Sequence, residues 1–168
     1  MGTRQPGHAM KKPASLRQAL TAALSDLARN PENLLVFVDK GSVIATYVPG
    51  LSFEYSYTLN VILTDYAGDP DTVMVPLLLW VRDNQPELLD NVGMRPDGIT
   101  FEADIISHDA CDLSLTLKLT ERVIVAESDN GRLDITHIDE PMPEPLLMAK
   151  HWRLFLRDAL IAEWDQPA

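Results

Sequence analysis

The chain has 168 residues, 46% of them hydrophobic and 23% charged, a composition typical of one globular domain and unlike that of a disordered segment. The formal net charge of −11 repels phosphate backbones and therefore argues against nucleic-acid binding. No apolar run reaches the ~20 residues of a membrane-spanning helix, and a single cysteine, Cys111, excludes an intrachain disulfide.

The first helix is predicted over Ser15–Arg29. Ser15 and Gln18 match the spacing of a capping box, and leucines then recur at helical intervals. Asn30–Pro31 would end the helix. Before it, residues 1–12 carry three basic side chains and no acidic one, and we expect them to form a disordered N-terminal extension.

Two strand signals follow. In residues 34–48, β-branched and aromatic runs flank Asp39–Lys40–Gly41, which predicts two adjacent strands with a short glycine-containing connection. Residues 53–63 then alternate large apolar side chains with mostly polar ones. The same-face aromatics of this strand could stack nucleic-acid bases or pack a core. The strand contains no basic residue, and this favours the core.

The stretch "DYAGDPD" predicts a turn, with Asp69 or Asp71 capping the next helix. Three aspartates, Asp65, Asp69 and Asp71, also suggest a weak cation site, but the spacing of a calcium loop is absent. A buried helix is predicted over Thr72–Arg82, with Pro76 in its first turn or at a kink, and a short helix from Pro86.

The second half of the chain returns to strands. Apolar and polar residues alternate from Ile99 to Ile105 and from Leu113 to Val125, with "SHDACD" as a hairpin loop between them. Asn130–Gly131 predicts a further hairpin. The fold class is therefore α+β, a mainly antiparallel sheet with two or three helices packed on its apolar face.

The C-terminal segment, residues 141–168, follows a proline-rich linker, and we expect the α+β domain to span residues 13–140. The sequence "HWRLFLRDALIAEW" fits an amphipathic helix or a pair of strands, and we favour the strands. Its aromatic residues pack either on their own domain or on a neighbouring subunit, and both alternatives stay open: Trp152, Phe155 and Trp164.

Enzymatic and metal-binding patterns are not supported. His108 and Cys111 are two zinc-type ligands, whereas a structural site needs four. Ser107, His108 and Asp109 are contiguous, but a catalytic triad is assembled in space and is not indicated by contiguity. We therefore predict no catalytic residue, no metal site and no cofactor.

The sequence resembles the phage tail completion protein R family of contractile-tailed phages. The resemblance runs from about Ser15 to Val123, through "SLRQALTAALSDLARNPENLLVFVDKG", "LSFEYSYTLNVILTDYAGDPDTVMVPLLLWVRDNQPELL" and "GITFEADIISHDACDLSLTLKLTERV". The most specific part is "FEYSYTLNVILTDYAG" followed by "VMVPLL".

This resemblance implies a structural assembly protein with a tail-terminator-like fold that caps the end of the tail tube and sheath and makes it competent for head joining. The implied partners are its own copies in a ring, expected to be a hexamer, the tube and sheath proteins, and head–tail connector proteins. Sequence-specific nucleic acid and membranes are not implied. The expected location is the host cytoplasm during assembly and then the virion tail.

The candidate assembly interface comprises Trp152, Phe155, Trp164, Asp65 and Asp69. Two alternatives belong to other classes. One is a tube or sheath component, which would form open stacks. The other is an acidic hydrolase with an unrecognised carboxylate site.

Overall fold

The computed structural model describes residues 10–45, 49–141 and 149–167. The helices are α1 (Lys11–Ala23), α2 (Ser25–Arg29), α3 (Asp71–Asn84) and α4 (Glu87–Asp90). The strands are β1 (Leu34–Ala45), β2 (Phe53–Tyr66), β3 (Ile99–Ile105), β4 (Cys111–Ser128), β5 (Arg132–Ile138), β6 (His151–Leu156) and β7 (Ala159–Asp165). The predicted α+β class is confirmed.

Strands β1 to β5 form one antiparallel sheet in the order β1-β2-β4-β3, and β5 also pairs with β4. The 18-residue β4 is long enough to pair with β3 along its first half and with β5 along its second. Arg122 pairs with Glu54 of β2 and with Ile138 of β5. Strands β5 and β3 therefore share one edge of the sheet, while β6 and β7 form a separate hairpin.

The core lies on one face of this sheet. Tyr57, Leu59, Val61 and Leu63 of β2 are buried and lie opposite the buried leucines of β4. Helices α1 and α3 pack over this face with their own buried apolar residues: Leu16, Leu20, Val73, Leu77 and Val81. Phe53 and Tyr55 are half-buried, with ring centroids 5.0 Å apart. The core interpretation of this strand is confirmed.

The predicted hairpin at Asp39–Lys40–Gly41 is wrong, because β1 runs through these residues as one strand. Val38 pairs with Leu59 and Lys40 with Thr58, so Asp39 is the extra residue of a β-bulge. A Cβ on Gly41 would lie 3.2 Å from the Cβ of Tyr57. The glycine therefore permits close contact with β2 and does not mark a turn.

The predicted helix Ser15–Arg29 is two helices. Leu24, with φ −112° and ψ 103°, is extended and separates α1 from α2. Helix α1 begins at Lys11, so Ser15 lies inside it and its hydroxyl accepts a hydrogen bond from the Trp80 indole at 2.9 Å. Lys11 and Lys12, assigned to the extension 1–12, are helical, and the rest of that segment lies outside the described residues apart from Met10.

Three other predicted elements agree with the structure, and the position of Pro76 does not. Asn130 and Gly131 have φ values of 66° and 73° and connect β4 to β5, as an Asn-Gly hairpin requires. The short helix α4 follows Pro86, as predicted. Pro76 is buried in the second turn of α3, and not in its first as predicted, because α3 begins at Asp71. The C-terminal sequence forms the strand pair β6–β7.

Candidate functional site

The three aromatics of the C-terminal hairpin lie in different environments. Trp164 is 7% exposed and belongs to the core. Trp152, which pairs with Trp164 across the hairpin, is half-buried against the same core. Phe155 is 50% exposed. Both tryptophans therefore pack on their own domain, and of the three only Phe155 is exposed.

Asp65 and Asp69 are exposed and serve the turn between β2 and α3. The backbone N–H of Asp65, at φ 52°, donates to the Asp112 carboxylate at 2.9 Å. The Asp69 carboxylate accepts from the N–H of Asp71, the first residue of α3, at 2.9 Å. These hydrogen bonds hold the turn and the first residue of α3 in place, in agreement with the role predicted for Asp69.

Within residues 10–45, 49–141 and 149–167, no group of three or more His, Cys, Asp or Glu side chains is placed to hold a metal ion. Over the same ranges, no helix is long and apolar enough to cross a membrane. The hydrogen bonds that His137 and His151 make there through their rings go to carboxylates. Each of these two imidazole rings is therefore held in place by a neighbouring carboxylate.

A buried polar network, which we name the Glu121 cluster, was missed by the sequence analysis. It comprises Lys12, Tyr57, Gln85, Glu121 and His137. The Glu121 carboxylate is 4% exposed and accepts hydrogen bonds from the Tyr57 hydroxyl at 2.8 Å and from the backbone N–H groups of Lys11 and Lys12 at 3.0 and 2.9 Å. The Nδ1 atom of His137 lies 3.2 Å from the same carboxylate.

Glu121 caps α1 from a distant strand. The first N–H groups of a helix lack partners within it, and Met10 at the cap position has no side-chain acceptor. The negative carboxylate also faces the positive end of the helix dipole. Glu121 thus fixes the start of α1 on β4 and compensates for the absence of a local cap.

Lys12 extends the cluster to the residues that follow β5. Its buried ammonium donates to Gln85 Oε1 at 2.7 Å, to the Thr120 carbonyl at 2.5 Å and to the Glu140 carboxylate at 3.2 Å. Burial lowers the pKa of Lys12, and the nearby Glu140 opposes this shift. Burial also raises the pKa of Tyr57, and its hydrogen bond to Glu121 adds to that rise.

A cleft of about 540 Å³ lies beside the cluster, bordered by α1, α3 and the C-terminal hairpin. Trp80, Trp152 and Pro76 supply apolar walls, and Lys11 and Asp83 supply charge. Asp83 accepts a hydrogen bond from the Gln166 side chain at 3.0 Å, which fastens the end of β7 to α3. The cleft is therefore a junction where the hairpin meets the domain.

One signal could have revealed the cluster from sequence. Glu121 occupies an odd position in the alternation from Leu113 to Val125, where the neighbouring odd positions are apolar and buried. A charged residue in the buried register requires a partner, since an unpaired buried carboxylate is strongly unfavourable. The identity of that partner, the start of α1, lies 110 residues away in the chain.

Comparisons with known proteins agree with the sequence resemblance. The family model described as P2 phage tail completion protein R matches residues 10–141. The protein named "Tail completion protein R" of Escherichia phage P2 is 45% identical over 157 residues, which cover 94% of this chain and 100% of that protein. No solved structure matches.

Proposed function

The chain belongs to the P2 phage tail completion protein R family and is a structural protein of tail completion; we propose that it acts by capping the end of the tail tube and sheath. The observation that carries this proposal is the match to the phage P2 protein along the whole length of that protein. The capped end would then be competent to join the head. The expected location is the host cytoplasm during assembly and the virion tail afterwards.

We propose that several copies act together as a closed ring, with a hexamer as the expected size. One face of such a ring would bind the last ring of the tube. The opposite face would not match a further tube subunit, so the tube would stop growing. The other partners in this proposal are the tube and sheath proteins and the head–tail connector proteins. The acidic chain, at −11, suits a structure past which DNA must move without binding.

The same charge bears on when the ring forms. Like-charged neighbours repel, and salt screens this repulsion over ~8 Å at physiological ionic strength. We propose that the free chain is monomeric or weakly associated and closes into a ring on the tail tube. Added salt is expected to favour self-association.

The test uses tails assembled from the encoding phage after deletion of the gene for this chain. Purified chain is added, and negative-stain microscopy and head joining are measured with and without it. We expect extra density at one end of each tail and restored joining to heads. The exposed-site variant Glu127→Ala serves as the matched control and is expected to behave as the parent chain.

Two outcomes contradict capping. If the tail ends look the same with and without the chain, and the tails still do not join heads, the capping role is wrong. If instead it stacks into open tubes of its own or extends the tail, the chain is a tube-like component.

A further inference from the structure

The tip of the β4–β5 hairpin carries the dipeptide Asn130–Gly131, and no other asparagine of the chain precedes a glycine. Both residues are exposed and lie beyond Ser128 and Arg132, the last residues that pair across the two strands. A glycine has no side chain to keep its backbone nitrogen away from the amide of a preceding asparagine. The tip therefore combines a reactive pair of residues with access to solvent.

The surroundings of Gly131 are open. A Cβ built on Gly131, whose φ is 73°, would meet no atom within 4 Å. Asn130 has φ 66° and ψ 27°, a left-handed conformation that turns the Gly131 nitrogen away from the Asn130 side chain. A reaction between these groups needs the two atoms to come within about 3–3.5 Å of each other. It therefore requires rotation at the tip, and loop tips open at a low free-energy cost.

A second pair that could react by the same route, Asp97–Gly98, is held in place. Gly98 is buried, its N–H donates to the Met94 carbonyl at 2.7 Å, and its carbonyl accepts from the Lys118 N–H at 3.0 Å. The Asp97 carboxylate pairs with the Lys118 ammonium at 2.6 Å, and this contact lowers the pKa of Asp97. An ionised carboxylate is a poor electrophile, so neither reacting group of this pair is available.

From this contrast we propose that Asn130–Gly131 is a site of spontaneous covalent modification, at which the folded chain converts asparagine to aspartate and isoaspartate. The Gly131 nitrogen attacks Cγ of Asn130 and forms the new C–N bond of a five-membered succinimide ring. The Cγ–Nδ2 bond breaks, and Nδ2 leaves as ammonia with the proton that the Gly131 nitrogen gives up. Water then adds to one of the two ring carbonyl carbons, the C–N bond to that carbon breaks, and the nitrogen takes a proton back. No atom is oxidised or reduced.

The two products differ in their effect on the hairpin. Addition of water at Cγ gives aspartate, which leaves the backbone unchanged and tolerates a positive φ. Addition at the main-chain carbonyl carbon gives isoaspartate, which inserts a methylene group into the backbone of the turn. An Asn-Gly turn matches the twist of its strands only with a normal backbone, so isoaspartate should weaken the pairing next to the tip. Both products place a new carboxylate beside Asp129.

The experiment follows the purified chain during incubation at neutral and at mildly alkaline pH, both folded and in urea. Trypsin cleavage after Arg122 and Arg132 releases residues 123–132, whose mass rises by about one dalton when the amide becomes a carboxyl group. Chromatography separates the isoaspartate and aspartate forms of this peptide. Asn91, which is exposed but followed by a β-branched valine, is the internal control. Asn130→Gln, with a side chain one methylene longer, is the control variant.

We expect the folded parent chain to accumulate the mass shift in residues 123–132, and faster at the higher pH, because base removes the proton from the Gly131 nitrogen. Urea should speed the reaction about 10-fold or more, since a paired tip is open for only a fraction of the time. Isoaspartate at Asp97 should appear in urea and not in the folded chain. Asn91 and the Asn130→Gln chain should keep their mass.

Three results would overturn the inference. The first is a folded parent chain whose residues 123–132 keep their mass while the same chain in urea is converted. The second is conversion of Asn91 as fast as that of Asn130. The third is isoaspartate that forms at Asp97 of the folded chain as fast as at Asn130. Tail capping is measured with fresh chain, so the proposed function stands or fails independently of this site.

Discussion

Removal of the Glu121 carboxylate tests whether the Glu121 cluster holds α1 on the sheet. Glu121→Ala deletes the acceptor of two backbone N–H groups at the start of α1 and of the buried Tyr57 hydroxyl. A helix cap contributes ~1 kcal/mol, and a hydrogen bond to a charged group ~1.5–3 kcal/mol. Because these donors stay buried, we expect the free energy of unfolding to fall by about 3–5 kcal/mol.

The assay is urea unfolding followed by circular dichroism and tryptophan fluorescence. Glu127→Ala is the matched control, since Glu127 lies on the same strand and face but is exposed, and its effect should stay within ~0.5 kcal/mol. Glu121→Gln keeps one acceptor oxygen without the charge and should fall between the two.

A double-mutant cycle isolates the contact with Tyr57. Tyr57→Phe should cost ~1 kcal/mol in the parent chain and less in the Glu121→Ala background, where the hydroxyl has already lost its partner. A Glu121→Ala cost below ~1 kcal/mol, or one equal to that of Glu127→Ala, would refute the capping argument. Additive effects in the cycle would refute the role of the Tyr57 contact.

Four further outcomes are expected. Leu59→Ala should lower the free energy of unfolding by about 2–5 kcal/mol because Leu59 is fully buried, whereas exposed Leu51→Ala should change it little in the same urea assay. Trp164→Ala should cost about 3–5 kcal/mol, since the ring is part of the core; a small cost combined with loss of tail capping would instead assign Trp164 to an interface. The hydrogen bond from His151 to Asp165 raises the pKa of His151. The hairpin should therefore be stabilised fully below the ordinary pKa of 6.5 and should lose this contribution as the pH rises through the raised pKa. An NMR titration of His151 should show the raised midpoint, and Asp165→Asn should lower that midpoint. Gel-shift assays at physiological salt should show no binding to duplex or single-stranded DNA, and a salt-sensitive shift would contradict the argument from charge.

The sequence by itself determined the elements whose signal is local. Period-two alternation in Phe53–Leu63 and Leu113–Val125 predicted two strands and the face they bury, because successive side chains of a strand point to opposite sides. Asn130–Gly131 predicted its hairpin because both residues readily adopt positive φ. The segments around "FEYSYTLNVILTDYAG" identified the family, and the comparisons confirmed it.

Only the tertiary structure decided the features that depend on distant partners. Asp39–Lys40–Gly41 has turn composition, yet pairing with β2 holds it in one bulged strand. Helix α1 starts at Lys11 because Glu121, far along the chain, accepts its first N–H groups, and Trp164 is buried because the hairpin meets α1 and α3. Periodicity reports which side of an element is apolar, but the three-dimensional packing determines which charge or ring meets it.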